Sequence, residues 1–137
     1  MASQQPIFRT ISVGVGQHIE LGKPLSDDVR ALFDPAPPGA RHLRMRIGTY
    51  GHAASIEVYL ADANGPVRHI DFTYDQGTDY EALVKLYEED LGPAHDTGTV
   101  ADTNESSVWE DGQTLFQVWL RGVNVGSLLK DLTAPSA

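Results

Sequence analysis

Leu43-Arg44-Met45-Arg46-Ile47 and Ile56-Glu57-Val58-Tyr59-Leu60 decide the architecture, because each run alternates apolar with polar residues at every step. That period of two is the mark of a strand with one greasy face. A two-residue turn at Gly51-His52 would set Ile47 opposite Ile56, Met45 opposite Val58 and Leu43 opposite Leu60. The same register sets Arg46 against Glu57 and Arg44 against Tyr59. Apolar then meets apolar on one face, and charge meets its complement on the other.

The pattern continues into a third strand, Val67 to Tyr74. A three-residue loop, Asn64-Gly65-Pro66, sets Leu60 opposite Ile70, Val58 opposite Phe72, Ile56 opposite Tyr74 and Asp62 opposite Arg68. A two-residue Asn-Gly turn would instead set Val58 against Asp71, mixing core with solvent. Further along, Val108-Trp109-Glu110, the turn residues Asp111-Gly112, and residues 113–120 predict a second hairpin. There Trp109 lies beside Thr114 and in line with Phe116, Val118 and Leu120, while Leu115, Gln117, Trp119 and Arg121 point the other way.

Upstream, Ile7, Ile11, Val13 and Val15 predict a strand over residues 7–15 that stops at Gly16, and residues 17–23 show no clear period. Ser26 is the expected N-cap of a short helix carrying Val29, Leu32 and Phe33, with Asp27 and Asp28 at its positive end. Asp34-Pro35-Ala36-Pro37-Pro38-Gly39 ends that helix and reads as a rigid connector. A second helix opens on a Thr78-x-x-Glu81 capping box. It carries Tyr80, Leu83, Val84, Tyr87 and Leu91 on one face and stops at Gly92-Pro93. Glu88, Glu89 and Asp90 crowd its last turn, where the dipole disfavours anions. Residues 95–105 read as an exposed loop with at most one short edge strand. Val125, Leu128, Leu129 and Leu132 predict a closing helix before Thr133.

The expected order is therefore β-α-β-β-β-α-β-β-α: an α+β two-layer sandwich, with an antiparallel sheet and helices on one face. One domain spans residues 1–137, with residues 1–5 and 133–137 flexible. A chain of 137 residues with 41% hydrophobic and 21% charged content suits one globular domain. A net charge of −9 argues against a nucleic-acid backbone and against anionic membrane surfaces as partners. Cysteine is absent, which excludes disulfides, thiolate nucleophiles and Cys-based zinc sites. The first residues lack the basic and apolar regions of a signal peptide, and no apolar run approaches bilayer-spanning length. The expected compartment is the cytoplasm, with export after removal of a leader left open.

Chemistry has few footholds. The outward sheet face would carry Arg44, Arg46, Glu57, Tyr59, His69, Asp71 and Thr73, joined by Gln117, Trp119 and Arg121 if both hairpins share one sheet. Arg44, Arg46, Tyr59, Trp119 and Arg121 are the candidate binding residues, because arginines and large rings supply contact area and directional bonds. The competing reading is a solvated face laced with ion pairs. His69 and Asp71, two apart on one strand, are the candidate catalytic residues, since a neighbouring carboxylate orients an imidazole as a general base requires. His18, His42, His52, His69 and His95 are scattered without metal-ligand spacing, so neither a metal nor a cofactor is expected. Gly14-Val15-Gly16 lacks the third glycine of a dinucleotide fingerprint.

The order helix, three strands, helix, two strands, helix, carried by residues 26–33, 43–74, 78–91 and 106–132, resembles the type III secretion chaperones of the Tir-chaperone type. The resemblance implies a small acidic cytosolic protein, generally a dimer, that binds an unfolded segment of a secreted effector. The extra strand over residues 7–15 departs from that pattern. The helix entry from Leu21 to Val29 before an antiparallel sheet is similar to inhibitor modules of the β-lactamase-inhibitor type. The leading expectation is thus a non-enzymatic module that binds another protein, as chaperone, inhibitor or immunity protein, with a homodimer as one form. The alternative is a small enzyme or ligand-binding protein with a pocket of about 300 Å³ or more around His69, Asp71 and Tyr59.

Overall fold

In the computed structural model, which describes residues 7–14, 16–46, 53–74, 78–94, 96–101 and 104–133, seven strands form one antiparallel sheet. The elements run β1 (Thr10–Gly14), β2 (Gln17–Glu20), α1 (Asp27–Arg30), β3 (His42–Arg46), β4 (Ala53–Leu60), β5 (Val67–Tyr74), α2 (Tyr80–Leu91), β6 (Asp96–Ala101), β7 (Asn104–Glu110), β8 (Thr114–Arg121) and β9 (Asn124–Asp131). The large sheet is ordered β3-β4-β5-β9-β8-β7-β6, and β1 and β2 make a separate ribbon. The protein is α+β and mostly antiparallel sheet.

Alternation generates the core as rows running across the sheet. Leu43, Val58, Ile70, Leu129, Phe116 and Trp109 are successive cross-strand partners, and so are Met45, Ile56, Phe72, Ser127, Val118 and Ser107. All twelve are buried. Helix α2 packs on this inner face. The Tyr87 ring lies 4.5 Å from that of Phe116, Tyr80 and Ser107 share a 3.0 Å hydroxyl bond, and Trp109 Nε1 donates to the Gly92 carbonyl at 2.9 Å. The last of these occupies a carbonyl that the helix end would otherwise leave bare.

The element order differs from the expected one in three places. Residues 17–20 form β2 rather than unpatterned chain. A four-residue strand that buries only Ile19, against Ile11, is too short to show a period. Residues 96–101 form β6, whose backbone ladder to β7 asks for no apolar alternation. Most consequentially, residues 124–131 are strand β9 and not a helix. Its inward set is Val125, Ser127, Leu129 and Asp131, two of them polar, so the period of two is invisible in hydrophobicity. Both polar residues are satisfied: Ser127 Oγ lies 2.8 Å from Tyr74 Oη, and Asp131 Oδ1 accepts from Arg9 at 2.9 Å. Gly122, with φ of 61°, opens the two-residue turn that folds β9 back on β8.

The hairpin registers are each displaced by two residues from expectation, which leaves every face unchanged. Met45 pairs with Ile56, Leu43 with Val58 and Arg44 with Glu57. Ile47 and the Gly51-His52 turn lie outside the described residues. Between β4 and β5, Ile56 pairs with Phe72 and Val58 with Ile70. Asp62 sits in the turn, bonding Asn64 and Gly65 rather than facing Arg68. Arg68 is the extra residue of a bulge that lets Val67 and Ile70 both turn inward. Trp109 faces Phe116 rather than Thr114, because the Asp111 carboxylate accepts from the Gln113 and Thr114 N–H groups and consumes residues 111–114 in the turn.

Both helix entries also differ. Asp79, not Thr78, caps α2, accepting from the Glu81 and Ala82 N–H groups at 3.0 and 3.3 Å. Helix α1 is a single turn. Ser26 is extended but makes no capping bond; its hydroxyl engages the Asp28 carboxylate instead, holding that group below the ordinary aspartate value. Val29 is 2% exposed and Leu32 41%, so the expected stripe is only partly inward. Residues 1–6 and 134–137, which include most of the segments expected to be flexible, lie outside the described residues.

Arg9 and Asp131 tie the N-terminal segment to β9, with the Asp131 side chain only 4% exposed. Burial pushes the Asp131 carboxyl up, but bonds from Thr133 and Arg9 outweigh it and hold the group below its ordinary 3.8. Its stabilisation is therefore complete above the unfolded-state value and is lost as pH falls through the lower folded value. Asp131→Asn should cost about 1–3 kcal/mol in urea unfolding at neutral pH. The gap between variant and wild type should close as the solution is acidified below 3.8 and through the lower folded value.

Candidate outer-face site

The polar strand positions register on the face opposite α2. Three rows cross it: His42-Tyr59-His69-Lys130-Leu115-Glu110, Arg44-Glu57-Asp71-Leu128-Gln117-Val108 and Arg46-Ser55-Thr73-Gly126-Trp119-Ser106. Both hairpins do share one sheet, so the candidate residues Arg44, Arg46, Tyr59, His69, Asp71, Trp119 and Arg121 occupy one face. They form two groups rather than one. Three strand spacings, about 14 Å, separate Tyr59 on β4 from Trp119 on β8.

The first group is a ladder of rings. The His42 imidazole stacks on Tyr59 at 4.5 Å with 4° between planes, and Tyr59 lies 4.8 Å from His69. Beneath them, His69 Nε2 lies 2.6 Å from Asp71 Oδ1, and His42 Nε2 lies 3.4 Å from Glu57 Oε1. Burial pushes the Tyr59 hydroxyl above its ordinary value, aided by the Asp71 and Glu57 charges and by a hydrogen bond to Asp71. The side chains of His69 and Asp71 are 27% and 31% exposed, set into the face but reachable from solvent. The arrangement can present flat rings and oriented polar atoms to a partner. It also sets the His69 imidazole against a carboxylate, as a general base would be held.

Sequence reading placed Arg44 opposite Tyr59 and so missed His42. The two-residue displacement of register puts the imidazole there and aligns Arg44 with Glu57. A search of registers that preserve the faces would have found it.

Trp119 has a structural task. A Cβ at Gly126 would fall 2.0 Å from Trp119 Cζ2, so the indole lies directly on the glycine of the neighbouring strand. Arg121 covers the indole in turn, its guanidinium carbon 5.1 Å from the ring centroid. A bare backbone patch in the middle of the sheet is thereby roofed by two side chains.

Neither of two concavities lined by described residues includes His69, Asp71 or Tyr59. One of about 350 Å³ is framed by Arg30, Phe33, Pro35, Pro38 and Leu43. Another of about 580 Å³ is framed by Asp79, Glu81, Glu105, Leu120 and Val123. Among the described residues, no group of three or more histidines and carboxylates is placed to share a metal ion. No helix among them is long and apolar enough to cross a membrane. No protein-family model, curated protein or solved structure matches the chain.

Two measurements check this geometry. Gly126→Ala should destabilise the fold by about 1–3 kcal/mol, because the methyl group displaces the indole. Combined with Trp119→Ala it should cost less than the sum of the two single changes, a coupling readable in urea unfolding. In an alkaline absorbance titration, Asp71→Asn should bring ionisation of one tyrosine to lower pH, and Tyr59→Phe should delete that same transition.

Proposed function

We propose that the protein is a non-enzymatic protein-binding module, cytoplasmic and of chaperone, inhibitor or immunity kind, that engages its partner through the outer sheet face. In this reading the sheet is one layer of a two-layer sandwich, with α2 and the β1–β2 ribbon as the second. The partner then lies against the sheet's uncovered side.

The observation that carries the proposal is the charge and ring content of that face. Its register positions hold four basic residues (Arg44, Arg46, Arg121, Lys130) and four acidic ones (Glu57, Asp71, Asp96, Glu110). These register positions sum to zero charge on a chain of net charge −9. Protein–protein interfaces are enriched in aromatic rings and arginine, which describes the His42-Tyr59-His69 ladder beside Arg44 and the Trp119–Arg121 pair. Half-buried Leu128 on β9 supplies apolar area between the two ring groups, and half-buried Leu115 and Val108 add to it on β8 and β7.

The 2.6 Å contact between His69 and Asp71 favours a second reading, a small enzyme or ligand-binding protein centred on those residues and Tyr59. The two readings separate in one experiment. Tagged wild type, Arg44→Ala/Tyr59→Ala and the α2 control Leu86→Ala are used to capture proteins from cells of the source organism, with quantification by mass spectrometry. The module reading expects a species held by wild type and control but about tenfold weaker on the double variant. Equal capture by all three overturns it.

A further inference from the structure

Three segments frame the concavity of about 350 Å³: the end of α1, the proline-rich connector after it, and the β4–β5 turn. The connector is stiff, because proline fixes φ at Pro35, Pro37 and Pro38. The Ala40 N–H donates to the Pro37 carbonyl at 3.1 Å with Gly39 at a φ of 82°, the proline–glycine pattern of a type II turn. The Asp34 N–H donates to the Arg44 carbonyl at 2.8 Å and ties the start of the connector to β3. The Arg30 guanidinium donates to the Ala63 carbonyl at 2.8 Å and ties α1 to the β4–β5 turn. Phe33 and Leu43, both buried members of the core, complete the apolar lining. Walls fixed in this way lower the cost of ordering a site when a ligand arrives.

Two opposite charges line this space, Arg30 and Asp34. Among the described residues, they form an ion pair neither with each other nor with another side chain. A guanidinium carries five N–H donors, so the bond to Ala63 leaves others for a ligand. The remaining lining is proline, alanine, glycine, Phe33, Leu43 and the Asn64 amide, with no further charge.

We infer that this cavity binds a free α-amino acid with an apolar side chain, its carboxylate on Arg30, its ammonium on Asp34 and its side chain against Phe33, Leu43 and the prolines. Charge and size select that class. A lone guanidinium suits one carboxylate, since its planar fork matches the two oxygens. A phosphate dianion would instead meet the Asp34 carboxylate as a like charge. That carboxylate calls for a cation on the same small molecule, and a zwitterion supplies both charges on one carbon. The volume lies at the small end of the range of about 300–1,000 Å³ for ligand pockets. None of the candidate outer-face residues lines the cavity, so the inference stands or falls independently of the proposed partner site.

Isothermal titration calorimetry on the full chain tests this with L-leucine, leucinamide and N-acetyl-leucine, circular dichroism reporting the fold. L-leucine should bind saturably. Leucinamide, which lacks the carboxylate, and N-acetyl-leucine, which lacks the ammonium, should each bind about tenfold more weakly. Arg30→Gln and Asp34→Asn should lower the affinity for L-leucine by a similar factor. Asp34→Asn keeps the Arg30–Ala63 bond, so it reads the charge with the cavity walls intact. Heat from L-leucine that never saturates, either derivative binding as tightly as L-leucine, or full affinity in folded Asp34→Asn protein would each overturn the inference.

Discussion

Strand β9 is hydrogen-bonded on both flanks, to β5 and to β8, and the rest of the sheet depends on that double pairing. Without it there are two separate units, β3-β4-β5 and β6-β7-β8, each with an open edge and half a core. Leu129 bridges them by lying between Ile70 and Phe116, all three fully buried. A three-stranded unit of this kind is near the limit of independent stability, so joining the two halves is what turns marginal pieces into one cooperative structure.

The joining strand is also the one whose sequence is hardest to read. Its buried positions include Ser127 and Asp131, and hydrophobicity alone picks out Val125, Leu128, Leu129 and Leu132 at helical spacing. What makes it a strand is tertiary: Tyr74 waits for the Ser127 hydroxyl, and Arg9 waits for the Asp131 carboxylate. Elsewhere the faces of β3, β4, β5, β7 and β8 were legible, because alternation there is strong. The registers were not, since a slip of two residues preserves every face and only the turn decides between the choices. At the β7–β8 turn the deciding group is a carboxylate, Asp111, bonded to the Gln113, Thr114 and Ile7 N–H groups.

The same limit explains the site. Which residues face outward followed from pattern, so Tyr59, His69, Asp71, Trp119 and Arg121 were found together on paper. Which of them touch followed from register, so His42 was missed. The use of Trp119 as a lid on Gly126 could not be anticipated, because it requires knowing that β9 is a strand and that its glycine falls beside β8. An exposed tryptophan on a sheet therefore has two readings, recognition and repair of a backbone gap. Here the second is the one with atoms in contact.

Arg9 and Asp131 are 122 residues apart in the chain yet share an ion pair, and Ile7 reaches Asp111 beside them. The first and last described segments are consequently neighbours in space. Bridging them with a short flexible tether and cutting the chain anew between Gly122 and Val123 would give a circular permutant with the same neighbours throughout. In that permutant β9 would be the first strand synthesised instead of the last, turning the order in which the halves meet into an experimental variable.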